Sequence, residues 1–154
     1  VSISGDLLFA GVTGDIIFDA TNNGTGLISG NINLGGVLRG VDVGDGTSSI
    51  DLSIAGVISN GGITKNNLGT LELTGASAYT GATTVNSGSL LINGSLADGV
   101  VTINAPGFLG GTGVIGSGAG MLINNGSLSP ATQSGVGTLT VNGSYSQGAS
   151  GELL

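Results

Sequence analysis

The stretch GTLELTGASAYTGATTVNSGSLLING, Gly69 to Gly94, sets short apolar runs between clusters of Gly, Ser, Thr and Asn, then repeats the arrangement. Leu71 and Leu73 alternate with Glu72, which is the period of a strand with one buried face. A helical period fails throughout, because Gly, Ser, Thr and Asn interrupt every window long enough for a helix and β-branched residues fill much of the rest. The same alternation extends outward. GNINLGG sets Ile32 and Leu34 against Asn31 and Asn33, and SSIDLSIAG sets Ile50, Leu52 and Ile54 against Asp51 and Ser53.

These runs recur. SIDLSIAG at Ser49, TLELTG at Thr70 and SLLING at Ser89 stand 21 and 19 residues apart, and TLTVNG at Thr138 has the same shape. A repeat of about twenty residues built only from strands and turns predicts a solenoid rather than a sandwich. A sandwich favours longer strands and an aromatic core, whereas this chain has three Phe, two Tyr and no Trp. Stacked parallel coils account for the composition: Val, Ile and Leu point inward, Thr and Ser point outward, and Gly and Asn take corners where positive φ is needed. Roughly seven coils of about twenty residues are expected, a rod on the order of 35 Å long at ~4.8 Å per coil. The chain reads as one β-solenoid segment, 1–154, and its first residues, VSISG, suggest an internal piece of something longer.

Of the 154 residues, 33 are Gly and 7% are charged, with a net charge of -7. The composition permits a core and argues against disorder. Collagen is ruled out by the absence of a three-residue glycine period and by only two prolines. The only two basic residues, Arg39 and Lys65, cannot neutralise a row of phosphates or form a basic membrane-surface patch, so neither nucleic acid nor membrane is an expected partner. No apolar run approaches membrane-helix length. The absence of Cys suits a chain held without disulfides.

From Gly61 to Gly94, GGITKNNLGTLELTGASAYTGATTVNSGSLLING resembles the autotransporter-associated β-strand repeat of type V secreted passenger domains. The matching positions include Gly62, Thr64, Lys65, Gly69, Leu71, Leu73, Gly75, Tyr79, Gly81, Thr83, Gly88 and Leu90. Residues 95–154, with LGGTG, GSLSP and GTLTVNGSYSQ, resemble the segment C-terminal to this repeat in such passengers; the first sixty share only the general style. The resemblance implies a right-handed parallel β-helix on the surface of a Gram-negative bacterium, acting as a stalk and as a folding scaffold for secretion. Two departures stand out. Asn66-Asn67-Leu68 replaces a glycine-rich stretch, and Ala131 follows Pro130 where the family has Gly. Because Ala resists the left-handed region, the corner from Ser129 to Thr132 is expected to adopt a different turn.

The residues offer little to a catalytic, metal or sugar site. Solenoid hydrolases and lyases need clustered carboxylates with a cation beside them, but the nine acids are scattered and there is no His; no catalytic, cofactor or metal residue is nominated. The best constellation, RGVDVGDGTSSID, holds Arg39, Asp42, Asp45 and Asp51 and loosely resembles a calcium-binding β-roll nonapeptide, but it does not repeat and reads as a solvated loop. Tyr79 reads as a corner residue covering the core with its hydroxyl in water. The paired Asn residues (Asn22-Asn23, Asn66-Asn67, Asn124-Asn125) read as turn residues, with stacked Asn ladders as the other option. Two functions from different classes are expected to compete: the secreted stalk, and self-association, face to face or end to end, through outward faces with almost no charge.

Overall fold

The computed structural model describes residues 2–9, 14–19, 24–131 and 135–154. Among them every element is a strand, and every strand pairing is parallel; an isolated antiparallel bridge joins Gly111 to Ala131. The chain winds as a three-faced parallel β-solenoid. One face stacks Ser2–Ile3, Gly26–Ile28, Leu52–Ile54, Thr70–Leu73 and Ser89–Ile92, then residues 108–110 and 127–128, and finally Glu152–Leu153. The second face is short and carries Leu7–Leu8, Ala76–Ser77 and Ser95–Leu96 among its rungs. The third carries Ile16–Phe18 and Thr83–Val85. The long strands Ile32–Val43, Ile58–Asn66, Val100–Gly110 and Val114–Leu128 bend around corners and serve two faces or more.

Register fixes the coil length. Leu52 pairs with Leu71 and Leu71 with Leu90, both steps of 19. The spacing of 21 expected from Ser49 to Thr70 is therefore corrected: Asp51, not Ser49, lies beside Thr70. Toward the ends the steps lengthen. Leu27 pairs with Ser53 across 26 residues and Ser127 with Glu152 across 25, because bulges and longer loops are inserted between the same faces. The Thr138 run also departs from expectation. Its strand, Thr140–Gln147, pairs with Val114–Leu128 on the second and third faces, not on the face of the other three repeats.

The core is a set of aliphatic columns. Leu52, Leu71, Leu90 and Leu109 form one, and Ile28, Ile54, Leu73 and Ile92 the next, all almost fully buried. Ile32 and Leu34 are buried as the alternation predicts, while Asp51 is buried too, against its expected outward position. Its carboxylate accepts hydrogen bonds from the Gly46 and Thr70 amides (2.9 and 2.8 Å), which satisfies the charge where the chain turns inward.

The corner between the first and second faces is a column of glycines. A Cβ on Gly30 would lie 2.0 Å from the Gly5 carbonyl oxygen; on Gly56, 1.9 Å from that of Gly30; on Gly75, 2.4 Å from that of Gly56. Gly94 and Gly113 continue it, each 2.1 Å from the carbonyl of the glycine one coil below. None of these five has positive φ, so the expectation that corners take Gly for left-handed backbone is corrected here: close approach of coils is what excludes a side chain. Elsewhere the left-handed reason holds, as at Asn67 with φ 61°. Ala131 also sits in the left-handed region, φ 62°, and exchanges two backbone hydrogen bonds with Gly111. Ala131 thus adopts the left-handed backbone that Ala was expected to resist; Thr132 lies outside the described residues.

Ser77 interrupts the second-face column between Ile58 and Leu96. Its Oγ is buried and has no hydrogen-bond partner. An orphaned hydroxyl costs about 1–3 kcal/mol, so Ser77→Ala is expected to stabilise the protein by about 1 kcal/mol. A higher urea midpoint with an unchanged slope would register it; an equal or lower midpoint would show that the hydroxyl is satisfied.

Candidate functional surfaces and internal polar groups

Both cations are inside the solenoid. Period two already places Arg39 in phase with the inward Val41 and Val43, and Lys65 in phase with Ile63, and both are buried. Arg39 donates from Nε to the Leu34 carbonyl (2.7 Å), from Nη1 to Gly14 (2.7 Å) and from Nη2 to Phe9 (3.1 Å), with its guanidinium 4.6 Å from the Phe9 ring centre. Such a fork ties three segments of chain to one side chain. Lys65 Nζ donates to the carbonyls of Asn66 and Asn67 (both 2.8 Å) and Ser87 (3.3 Å). Burial pulls its pKa down to about 8, opposed by the negative charges of Asp51 and Asp42. Cations engaged in this way hold the backbone of corners and are not presented to a substrate.

The four residues of RGVDVGDGTSSID therefore separate: Arg39 and Asp51 are buried, Asp42 faces outward on the third face, and Asp45 is exposed in the loop. Among the described residues no three acidic groups gather closely enough to hold a metal ion. Tyr79 differs from its expected setting. It is buried, and its hydroxyl shares a 2.8 Å hydrogen bond with the buried Thr83 Oγ1 instead of reaching water. Burial raises its pKa above the ordinary tyrosine value, and its ring is not available as a stacking platform.

The paired asparagines divide between two settings. Asn124 is buried, donating to the Glu152 carbonyl (2.9 Å) and accepting from the Gly126 amide. Asn66 belongs to a ladder. Asn66 Nδ2 donates to Asp42 Oδ1 (2.9 Å), Asn86 Nδ2 to Asn66 Oδ1 (3.0 Å) and Asn104 Nδ2 to Asn86 Oδ1 (3.0 Å). A stacked ladder of Asn was the alternative expected inside the solenoid; the ladder that forms lies on the outer side of the third face, with Asp42 as its acceptor base, and Asn22 and Asn23 lie outside the described residues. Asp98, one of the scattered acids, collects the amides of Ser117, Gly118, Ala119 and Gly120 and the Ser117 hydroxyl. These bonds hold its carboxyl at about pKa 2 and fix the bulge between Ile115 and Gly120.

Among the described residues, Ser77 Oγ is the buried side-chain polar atom left without a partner, and the hydroxyl–carboxylate pairs, Ser117 with Asp98 and Ser53 with Glu72, stand on the outer side of the coils. Compared with known proteins, residues 63–92 match the family model described as passenger-associated transport repeat. No match was found among curated proteins or among solved structures. The matched residues occupy the region where coils step by 19 or 20 and where Lys65 binds its corner. The match and the solenoid together fit an autotransporter passenger with β repeats.

Proposed function

We propose that this chain is a non-catalytic structural segment of an autotransporter passenger, serving on the surface of a Gram-negative bacterium as a stalk and as a folding scaffold for secretion. The observation that carries the reading is the transport-repeat match at residues 63–92, lying on coils that step regularly by 19 or 20 residues over a buried aliphatic core. Physical support comes from the stacking itself. Each coil contacts mainly its neighbours, so a coil that has formed offers a template to the next, and order spreads without distant contacts. Both cations are committed to internal carbonyls, which supports a structural rather than a catalytic assignment.

The test is register. The chain is placed between a secretion signal and an outer-membrane barrel in a Gram-negative host, and surface display is measured by protease accessibility. Deleting residues 72–90 removes one coil and lets Leu91 take the place of Glu72, its partner in the ladder. Display is expected to stay within about twofold. Deleting residues 72–82 removes part of a coil and puts the inward Thr83 and Val85 in the outward places of Glu72 and Thr74, and display is expected to fall at least tenfold. Equal display from both deletions would refute the scaffold reading.

A further inference from the structure

The outward side of the third face is a lattice of three columns across five coils. Leu38, Gly62, Ala82, Val100 and Met121 form an apolar column. Beside it stand Thr64, Thr84 and Thr102, and beyond them the amide ladder rising from Asp42 through Asn66, Asn86 and Asn104 to Asn125. Leu38 is 57% exposed, Val100 43% and Met121 37%, an apolar stripe of the kind that marks a contact surface. Next to Gly62 the stripe opens into a recess of about 350 Å³, lined by Val37, Leu38, Gly61, Gly62, Gly81 and Ala82.

From this lattice we infer that the third face binds a second copy of the same chain, face to face, with the two solenoid axes antiparallel about a two-fold through Thr84. Symmetry selects the orientation. A two-fold lying across the columns places each column on itself and reverses the coil order, so apolar meets apolar and amide meets amide. A two-fold along the solenoid axis reverses the columns instead and presses the Asn ladder onto the apolar stripe, leaving amides desolvated.

In the antiparallel arrangement Val100 of one copy faces the Gly62 recess of the other, Met121 faces Leu38, and Ala82 meets its own counterpart. A projecting residue thus stands opposite a recess. The charges agree as well. The chain carries a net charge of -7, yet the two described carboxylates on these columns are already engaged, Asp42 by Asn66 and Asp15, one coil below the five, by the Gly40 amide, and Asp42 faces Asn125 of the other copy rather than another acid. Each ladder amide also has a second N–H and a second lone pair to offer its counterpart.

Five coils at ~4.8 Å by three columns over about 17 Å give roughly 400 Å² per copy. That is below the area of a standard stable interface, so the dimer is weak, with a dissociation constant on the order of 100 μM. Many copies held on apposed surfaces would multiply it.

Sedimentation equilibrium of the intact chain from 10 μM to 1 mM (about 1.4 kcal/mol per tenfold change in Kd) is expected to show monomer and dimer with a midpoint near 100 μM. Val100→Asp is expected to raise that midpoint at least tenfold. Because the chain has no Cys, single cysteines report orientation with a short bismaleimide. Thr84→Cys is expected to cross-link with itself. Met121→Cys is not, because its two copies stand about 19 Å apart along the axis, but it is expected to cross-link with Leu38→Cys. A monomer at every concentration, association indifferent to Val100→Asp, or Met121→Cys linking to itself as readily as Thr84→Cys would each overturn the inference.

Discussion

Gly94→Ala is expected to destabilise the protein by about 3 kcal/mol or more, the upper end of what overpacking costs. A single methyl would come within 2.1 Å of the Gly75 carbonyl oxygen and 2.5 Å of the Thr74 oxygen. Both are backbone atoms of the coil below and cannot swing away. The next coil is equally tight, since a Cβ on Gly113 would lie 2.1 Å from the Gly94 oxygen, so the strain cannot be relieved by lifting one coil. Against a typical total stability of about 5–15 kcal/mol, the urea midpoint is expected to fall by at least 1 M. Gly5→Ala is the control, since it occupies the base of the same column and a Cβ there meets nothing within 4 Å; its midpoint is expected to move little. Equal effects at Gly5 and Gly94 would mean that chain flexibility, not close approach, selects glycine here.

The second large effect is a dependence on alkaline pH. Lys65 has a folded pKa of about 8 against 10.5 for the free side chain. Below pH 8 both states hold the proton, and the folded state bears a buried charge. Between pH 8 and 10.5 the unfolded chain still binds the proton that the folded chain has released, so stability rises with pH, by about 1–2 kcal/mol once solvent screening is allowed for. Tyr79 works the other way. Its folded pKa is raised by burial, so above pH 10 the unfolded chain ionises first and stability is lost. Maximum stability is therefore expected near pH 10, unusual for a protein with a net charge of -7. Urea midpoints from pH 7 to 11 would trace the rise, and Lys65→Met is expected to abolish it. A midpoint that falls steadily from pH 8 in the parent would contradict the burial of Lys65.

Much of the fold was legible because a strand's period is short and its consequences are local. Leu71, Leu73, Ile32 and Leu34 announce their faces within a few residues, and the recurrence of the runs announces stacking. Register was harder. Side-chain alternation repeats every two residues, so a shift from 19 to 21 preserves every face, and apolar runs cannot distinguish the two. The glycines could have done so: Gly5, Gly30, Gly56, Gly75, Gly94 and Gly113 follow the intervals of the ladder, because only one alignment brings each beneath the next. The interior polar groups were missed for a related reason. Asp51 was read as outward and Arg39 as part of a solvated loop, and Lys65 was given no place in the fold. Arg39 and Lys65 occupy inward phases, and corner carbonyls and amides inside a solenoid need such partners. The Asp42 to Asn104 ladder depends on steps of 24, 20 and 18 residues, which no single spacing could predict. The transport-repeat match covers residues 63–92, where local pattern and three-dimensional register coincide most closely.

The most direct measurement of the central claim, that folding of this segment serves secretion, is the rate at which the chain reaches the cell surface when carried ahead of an outer-membrane barrel, compared between the parent, Gly5→Ala and Gly94→Ala at equal expression. The account predicts that Gly5→Ala arrives at the parental rate while Gly94→Ala, weakened at one interior corner, is delayed several-fold and accumulates unfolded in the periplasm. Arrival of Gly94→Ala at the parental rate, with its loss of stability confirmed on the purified chain, would separate folding from export and contradict the account.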